Sequence, residues 1–373
     1  MTTAKRLKVA VLFGGRSVEH EVSVRSARAV IAALEACGHE AIPVGVTHAG
    51  GWRTGLPAER MLGDEAADGG WSADFLLVPD PQLAGLAAPG AAGAWARLPV
   101  DVVFPLVHGS GGEDGTLQGL LELAELPYVG SGVGASALGM DKRLQRRLFR
   151  AAGLPVVPTV EVRRSQCEAD GKGVERRILS AVGLPCFVKP AASGSSVGVV
   201  KVKSEADLAG ALAEACRYDA WVLAEPALAV RELESAVLGN EDAAATAPGE
   251  IVPGREFYDY RAKYLEDTSR LLLPAPVPAE CAAAVREMAV AAFQCLGCSG
   301  LARVDFFLEN GTGRLYVNEI NTLPGFTSIS MYPRLWAATG WPPERLVQRL
   351  LDLALAAHAD RRRNERVLPG GGR

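Results

Sequence analysis

Two segments late in the chain carry the residues best suited to hold a cation. Side chains alternate with period two along a strand. Arg303 and Asp305 therefore share one face of Leu301–Leu308, and Glu319 and Asn321 share one face of Arg314–Asn321. If Gly311-Thr312-Gly313 is a three-residue turn, Asp305 lies opposite Glu319 and Arg303 opposite Asn321; a two-residue Asn310-Gly311 turn breaks that register. Two carboxylates and an amide carbonyl are hard oxygen ligands, suited to Mg2+ bridging the phosphates of a nucleotide. Taken alone, the same residues also fit a solvated sheet face with a cross-strand ion pair.

A second segment handles anions. Lys189-Pro-Ala-Ala-Ser-Gly-Ser-Ser-Val-Gly198 offers backbone N–H groups from a Gly/Ser-rich loop, with a lysine point charge before it. No G-x-x-x-x-G-K-[ST] occurs in the chain, and Val197–Val202 reads as a strand where a P-loop leads into a helix. The pattern predicts a strand–loop–strand cover over phosphates. Gly130-Ser-Gly-Val-Gly-Ala135 matches G-x-G-x-x-A and opens a helix, which keeps a dinucleotide-dependent oxidoreductase as a rival. Against it, the match comes late in the chain and lacks an acidic residue ending a second strand.

The elements that must position these residues alternate. Lys8–Phe13 predicts a strand, about Val22–Cys37 a helix, Glu40–Val46 and Val100–Val107 further strands, and Pro127–Val129 a short one. This is α/β, with an open parallel sheet over the first ~130 residues. Pro79–Pro99, rich in Ala, Gly and Pro, reads as a loop excursion. One long amphipathic helix is expected from about Ala135 to Ala152. Strands follow at Pro155–Val162, Cys186–Lys189, Val197–Val202, Trp221–Glu225, Glu232–Leu238 and Glu250–Val252, with helices near Ala206–Cys216 and Glu280–Leu296.

Composition excludes several classes. With 49% hydrophobic and 22% charged residues the 373-residue chain is globular, and its length calls for two or three domains. A net charge of −4 gives no basic excess for a nucleic acid, and no apolar run is long enough for a membrane span. Val9–Phe13 is too short for a signal core, so the expectation is a cytoplasmic protein. Seven scattered cysteines argue against a disulfide framework, and Cys295-Leu-Gly-Cys298 lacks the second pair a zinc ribbon needs.

The order and spacing of further motifs carry a resemblance. Gly14-Gly-Arg-Ser-Val-Glu-His-Glu-Val-Ser23, His108-Gly-x-x-Gly-Glu-Asp-Gly115, Gly130-Ser-Gly, Met140-Asp-Lys142, Lys189-Pro, Gly194-Ser-Ser-Val-Gly198, Phe257-Tyr-Asp-Tyr-x-x-Lys-Tyr264, Ala302-Arg-Val-Asp305 and Asn318-Glu-Ile-Asn-Thr-Leu-Pro-Gly-Phe-Thr-Ser328 appear in sequence. Nearly to residue 355 the chain resembles the D-alanine–D-alanine ligases of the ATP-grasp superfamily. The resemblance implies a three-domain ATP-grasp architecture. Residues 1–130 would form an N-terminal substrate-binding α/β domain, 131–228 a central ATP-grasp subdomain, 229–360 a C-terminal one with the catalytic and metal site, and 361–373 a basic tail. It also implies a reaction. The carboxylate of one D-alanine attacks the γ-phosphate of ATP, and the amine of a second attacks the resulting acyl phosphate, supplying a dipeptide for peptidoglycan.

Roles follow residue by residue from the same resemblance. Glu19 would hold the first substrate's ammonium, closed over by Ser195 and Tyr264, with Val22, His108 and Met331 nearby. Lys142, Lys189, Ser195 and Ser196 would meet the phosphates, and Lys263 the γ-phosphate in transfer. Glu225, Leu228 and Glu232 would hold adenine and ribose. Asp305, Glu319 and Asn321 would bind two Mg2+ or Mn2+ ions, with K+ a further candidate. Arg303 and the N–H of Gly325 would form the oxyanion hole, and Ser330 with Arg303 would hold the second substrate's carboxylate. Lys263-Tyr264 favours an amide product over the D-lactate depsipeptide, whereas D-serine differs from D-alanine by one hydroxyl and stays open. Another ATP-grasp carboxylate–amine ligase would share the metal and phosphate residues but not Glu19, Ser195 and Tyr264. A homodimer is implied by the family alone.

Overall fold

The structure is a computed structural model, and it describes residues 5–54, 73–74, 76–78, 85–89, 95–252 and 270–365. Among them the first sheet contains β1 (Lys8–Gly14), β2 (Glu40–Val46), β3 (Trp52–Thr54) and β4 (Ala73–Asp74). After an excursion through β5 (Leu76–Val78), β6 (Gly85–Pro89) and β7 (Trp95–Leu98), it closes with β8 (Val102–Pro105). Val9–Phe13 are fully buried, and a strand covered on both faces needs an unbroken apolar run. β1 pairs in parallel with β2 and β8, while β3 and β4 run antiparallel at one edge. The open sheet is thus parallel at its centre and mixed at its rim. Within the Pro79–Pro99 stretch expected to be loop, the described residues include two strands, β6 and β7, which pair antiparallel with each other, and β6 also pairs with the preceding β5. Pro127–Val129 contributes only a bridge between Val103 and Tyr128.

α1 (His20–Ala36) covers β1, and α2 (Thr116–Leu123) follows the His108 loop. The single helix expected from Ala135 to Ala152 is two: α3 (Val133–Met140) and α4 (Lys142–Ala151). Asp141 breaks it. Its backbone is extended (φ −91°, ψ 100°), and its carboxylate accepts from the N–H groups of Arg143 and Leu144 as an N-cap.

The second sheet is antiparallel: β9 (Val160–Arg163), then α5 (Arg164–Val182), β10 (Cys186–Pro190), β11 (Val200–Val202), α6 (Leu208–Ala215) and β12 (Trp221–Pro226), ordered β11-β10-β12-β9. α5 went unread in the sequence. Gly171 and Gly173 interrupt its periodicity, and the backbone kinks at Asp170. The third sheet holds β13 (Val230–Gly239), β14 (Ala244–Ala245), β15 (Gly249–Val252), β16 (Arg270–Leu272), β17 (Gly300–Glu309) and β18 (Leu315–Asn321), backed by α7 (Ala279–Cys295).

Two helices end the described chain, α8 (Met331–Ala338) and α9 (Pro343–Arg361). α9 packs on α1, and its Leu346, Val347, Leu350 and Leu351 belong to the core that holds Val9, Val11 and Phe13. No helix among the described residues is long and apolar enough to cross a membrane. All seven cysteines are free.

Candidate active site

The β17–β18 hairpin sets the acidic face. Asp305 pairs with Glu319 and Arg303 with Asn321, the register that a three-residue turn predicts. The turn itself is different. Glu309 N–H donates to Arg314 O at 2.8 Å, so the loop is the four residues 310–313 and strand pairing starts one position out of step. A bulge then restores it: Phe306 pairs with Val317 but Asp305 with Glu319, leaving Asn318 as the extra residue. Turn and bulge cancel, which is why the carboxylates still meet.

Around this face the charges interlock. Arg303 donates Nε–H to Asp305 Oδ1 and Nη2–H to Oδ2, each at 2.7 Å, and its Nε lies 3.0 Å from Glu234 Oε2 on β13. Burial alone would lower the Arg303 pKa, but Asp305 and Glu234 hold it well above its ordinary value. Lys142, at the first turn of α4, reaches Glu319 Oε2 at 3.0 Å and donates to Ser193 O at 2.8 Å. Gln145, one turn on, accepts from Ile320 N–H at 3.0 Å and donates to Gly139 O, pinning β18 to the helix that carries Lys142.

Between the second and third sheets lies a cavity of about 480 Å3, lined by Phe187, Lys189, Leu228, Glu232, Phe307 and Asn318 among others. Glu225 faces it, but its carboxylate is claimed: Oε1 lies 2.5 Å from Arg146 Nη1 and Oε2 2.8 Å from Lys189 Nζ. Burial would raise the Glu225 pKa; Arg146 and Lys189 outweigh it and hold the carboxyl below its usual range. Arg146 is 1% exposed and also bonds Thr159 and Asn318.

A smaller cavity adjoins, lined by Glu19, Val22, His108, Arg303, Asn321 and Gly325. Lys142, Gly194, Ser195 and Glu319 line both, so the two form one cleft with lysine, carboxylate and Gly/Ser loop at the junction. Ser195 donates Oγ–H to Glu19 Oε1 at 2.5 Å. To bring the loop there, Ser195 and Ser196 adopt left-handed backbone (φ 50° and 58°), a strain tolerated where surroundings fix it. A Cβ at Gly194 would stand 3.2 Å from Glu19 Oε2, so glycine permits the close approach. His108 is buried; its Nδ1 donates to Leu323 O at 3.0 Å and it faces Glu113 at 3.8 Å. Burial would lower its pKa, but Glu113 and Glu19 raise it.

Ser330 sits beside Gly325 at the rim, its Oγ accepting from Thr327 N–H at 3.1 Å. Met331 is 5% exposed and packs in the core with Tyr332 and Leu335 rather than lining either cavity. Lys263 and Tyr264 lie outside the described residues. Sequence reasoning missed Glu234, Arg146, Gln145 and Glu113. Glu234 had a signal, since it shares a strand face with Glu232. Arg146 lies among the many basic residues of α4, where pattern does not single it out. Elsewhere His20, Glu21 and His48 approach one another, but the His20 and His48 rings stack at 3.7 Å and 18°. Their in-plane lone pairs run side by side instead of converging on one ion.

Asp305, Glu319 and Asn321 offer hard oxygens on one face. Arg303 on Asp305 and Lys142 on Glu319 are cations that a divalent ion can replace electrostatically, while Asn321 Oδ1 accepts from Leu323 N–H at 2.9 Å and has a second lone pair to offer, so the donor set fits Mg2+ or Mn2+. A cleft between two antiparallel sheets, bordered by Glu319 and Asn321 of that set, fits a nucleotide-dependent ligase of the ATP-grasp fold. The family model described as D-ala D-ala ligase N-terminus matches residues 8–131, and that described as D-ala D-ala ligase C-terminus matches 148–352. The D-alanine–D-alanine ligase of Heliobacterium modesticaldum is 47% identical over 95% of this chain and 96% of the relative. That of Geobacillus thermodenitrificans is 44% identical over 95% and 97%. Among solved structures, the D-alanine-D-alanine ligase from Coxiella burnetii superposes with a TM-score of 0.84 at 36% identity, covering 96% of this chain and 97% of that one. The VanG D-Ala:D-Ser ligase from Enterococcus faecalis gives 0.83 at 35%, covering 94% and 100%. The chain belongs to the D-alanine–D-alanine ligase family.

Proposed function

We propose that this chain joins two D-alanines into D-alanyl-D-alanine at the expense of ATP, releasing ADP and phosphate. The observation that carries the reading is the shared junction: Lys142 and Glu319, 3.0 Å apart, border both the larger cavity and the one containing Glu19. A nucleotide in the first would end its phosphates where an amino acid in the second begins.

In this reading Glu19, held by Ser195, pairs with the ammonium of the first D-alanine and turns its carboxylate toward the phosphates. Lys142 and Lys189 meet phosphate oxygens, with Ser195 and Ser196 offering backbone N–H groups. A divalent ion on Asp305, Glu319 and Asn321 would neutralise charge developing on the transferring phosphoryl group. The substrate carboxylate oxygen bonds to the γ-phosphorus as the bond to ADP breaks. The second amine then attacks the acyl carbon, and phosphate leaves with its oxygen. Arg303 and Gly325 N–H face the oxyanion formed in that second step, and Ser330 the second carboxylate. Leu228 and Glu232 border the adenosine end.

Residues 1–130, 131–228 and 229–360 serve as substrate, central and catalytic domains in this reading, supported by the separate sheets. The cores are less divided, since α8, α9 and Ala236, Leu238, Ile251 and Leu301 of the third sheet share one core with Val9, Val11 and Phe13. A homodimer is proposed from the family alone, and a place in the cytoplasm from the short apolar run of Val9–Phe13. The likeness to a D-Ala:D-Ser ligase makes D-serine the second reading for the acceptor. Purified protein with ATP, Mg2+ and D-alanine is expected to release phosphate and yield the dipeptide by mass spectrometry. Turnover only when D-serine or D-lactate is added would move the assignment within the family, and no turnover with any of them would overturn it.

A further inference from the structure

Glu234 stands in the middle of β13, directly opposite Asp305 of β17, and none of the roles above uses it. Its side chain is 9% exposed, with Oε2 3.0 Å from Arg303 Nε. That nitrogen carries one hydrogen, and Asp305 Oδ1 takes it at 2.7 Å. Two carboxylates therefore compete for one N–H; Asp305 has the hydrogen bond, and Glu234 the ionic contact.

The rivals are not equivalent. Asp305 faces Glu319 across the hairpin, in the set suited to a divalent ion. A carboxylate whose oxygens turn to such an ion keeps fewer lone pairs and a poorer geometry for a bidentate clamp on a guanidinium. Glu234 lies on β13, flanked by β15 and β17 on the sheet, and has Arg303 already within reach. We propose that Glu234 is a positioning residue that takes over the Arg303 Nε–H when Asp305 turns to metal, keeping the guanidinium fixed at the reacting carbonyl. This rests on the ligase reading for what Arg303 does, though not for where it goes. A guanidinium held in place need not be ordered anew at each turnover, which is where positioning lowers a barrier.

Two experiments decide it. Glu234→Gln keeps the side-chain shape without the charge. Because Glu234 does not line the nucleotide cavity, KM for ATP and calorimetric binding of Mg2+–ADP are expected to stay within about twofold. In contrast, kcat is expected to fall about 10²-fold, the size of effect that a misplaced group produces, with KM for the second D-alanine rising. Glu234→Asp, which restores the charge on a shorter arm, should recover part of kcat. A purely structural role would instead lower Tm and move every parameter together, and that outcome, or an unchanged kcat, overturns the proposal. The second experiment is a crystal structure of the wild-type protein with Mg2+ and ADP. Arg303 Nε hydrogen-bonded to Glu234 with Asp305 on the metal supports the handover; Arg303 still clamped on Asp305, or swung clear of Glu234, refutes it. This arm stands even if Glu234→Gln fails to fold. It also stands if the wild-type protein makes no D-alanine dipeptide, a result that would sink the ligase reading alone.

Discussion

Glu225→Gln should cost this protein stability as well as nucleotide affinity, by an amount the geometry bounds. The carboxylate is buried between Arg146 at 2.5 Å and Lys189 at 2.8 Å. Removing its charge leaves two cations facing each other, and orphaning a buried ion costs about 3–5 kcal/mol. Arg146, at 1% exposure, bears most of this, whereas the Lys189 side chain at 12% can relax into the cavity it lines. At about 2–4 °C per kcal/mol for a unit of this size, Tm should drop by roughly 10 °C in scanning calorimetry at pH 7.5. Arg146→Met combined with Glu225→Gln removes the orphaned charge and should recover several degrees, so the two substitutions will not be additive. The pH dependence has a definite sign. The folded-state pKa of Glu225 is depressed, so its contribution is present above the unfolded glutamate value of about 4.3 and is lost as pH falls through the lower folded value. The Tm gap between wild type and Glu225→Gln should be flat from neutral pH down to about 5 and close only in stronger acid. A Tm within 2 °C of wild type (about 1 kcal/mol or less), or a gap that closes as pH rises, would refute the ion-clasp account.

Three other perturbations test separate parts of the cleft. Glu19→Gln weakens the charge-assisted bond from Ser195; at about 1.5–3 kcal/mol for such a bond, kcat/KM for D-alanine should fall roughly 10- to 150-fold in a phosphate-release assay, and unchanged kinetics would favour another carboxylate–amine ligase. Inserting one alanine after Asn318, with the bulge kept at one residue, would put the alanine opposite Asp305 and move Glu319 and Asn321 to the opposite face. Dependence of ADP binding on Mg2+ should vanish by calorimetry while circular dichroism still reports the sheets; retained dependence would mean that the facing of Glu319 does not set the metal site. Asp141→Ala removes the N-cap of α4, at a cost of about 1 kcal/mol, and should raise KM for ATP severalfold by loosening Lys142; an unaltered KM would separate Lys142 placement from the cap.

The sequence disclosed some of this arrangement and hid the rest for identifiable reasons. β1 and β2 were legible because their apolar runs end at turn residues. The hairpin register came out right through two compensating departures, a longer loop and a bulge at Asn318, neither of which alternation alone can reveal. The split at Asp141 was missed because helical periodicity continues across it, although an Asp before a run of helix formers is a start signal. Arg146 and Glu234 stayed hidden because a charged side chain declares its burial only through partners distant in sequence. Arg146 meets Asn318 across a separation of 172 residues.

The seating of α9 also constrains how the chain is made. His39 touches Gln348 at 2.9 Å across 309 residues, and the Sγ of Cys37 bonds Glu344 O. On a ribosome, β1 and α1 emerge well before the helix that caps them. The outer side of α1 must wait uncovered while both later sheets, whose strands pair within their own segments of the chain, can assemble. A nascent chain halted before residue 343 would therefore expose an oily flank to chaperones and proteases, and emergence of α9 would close it.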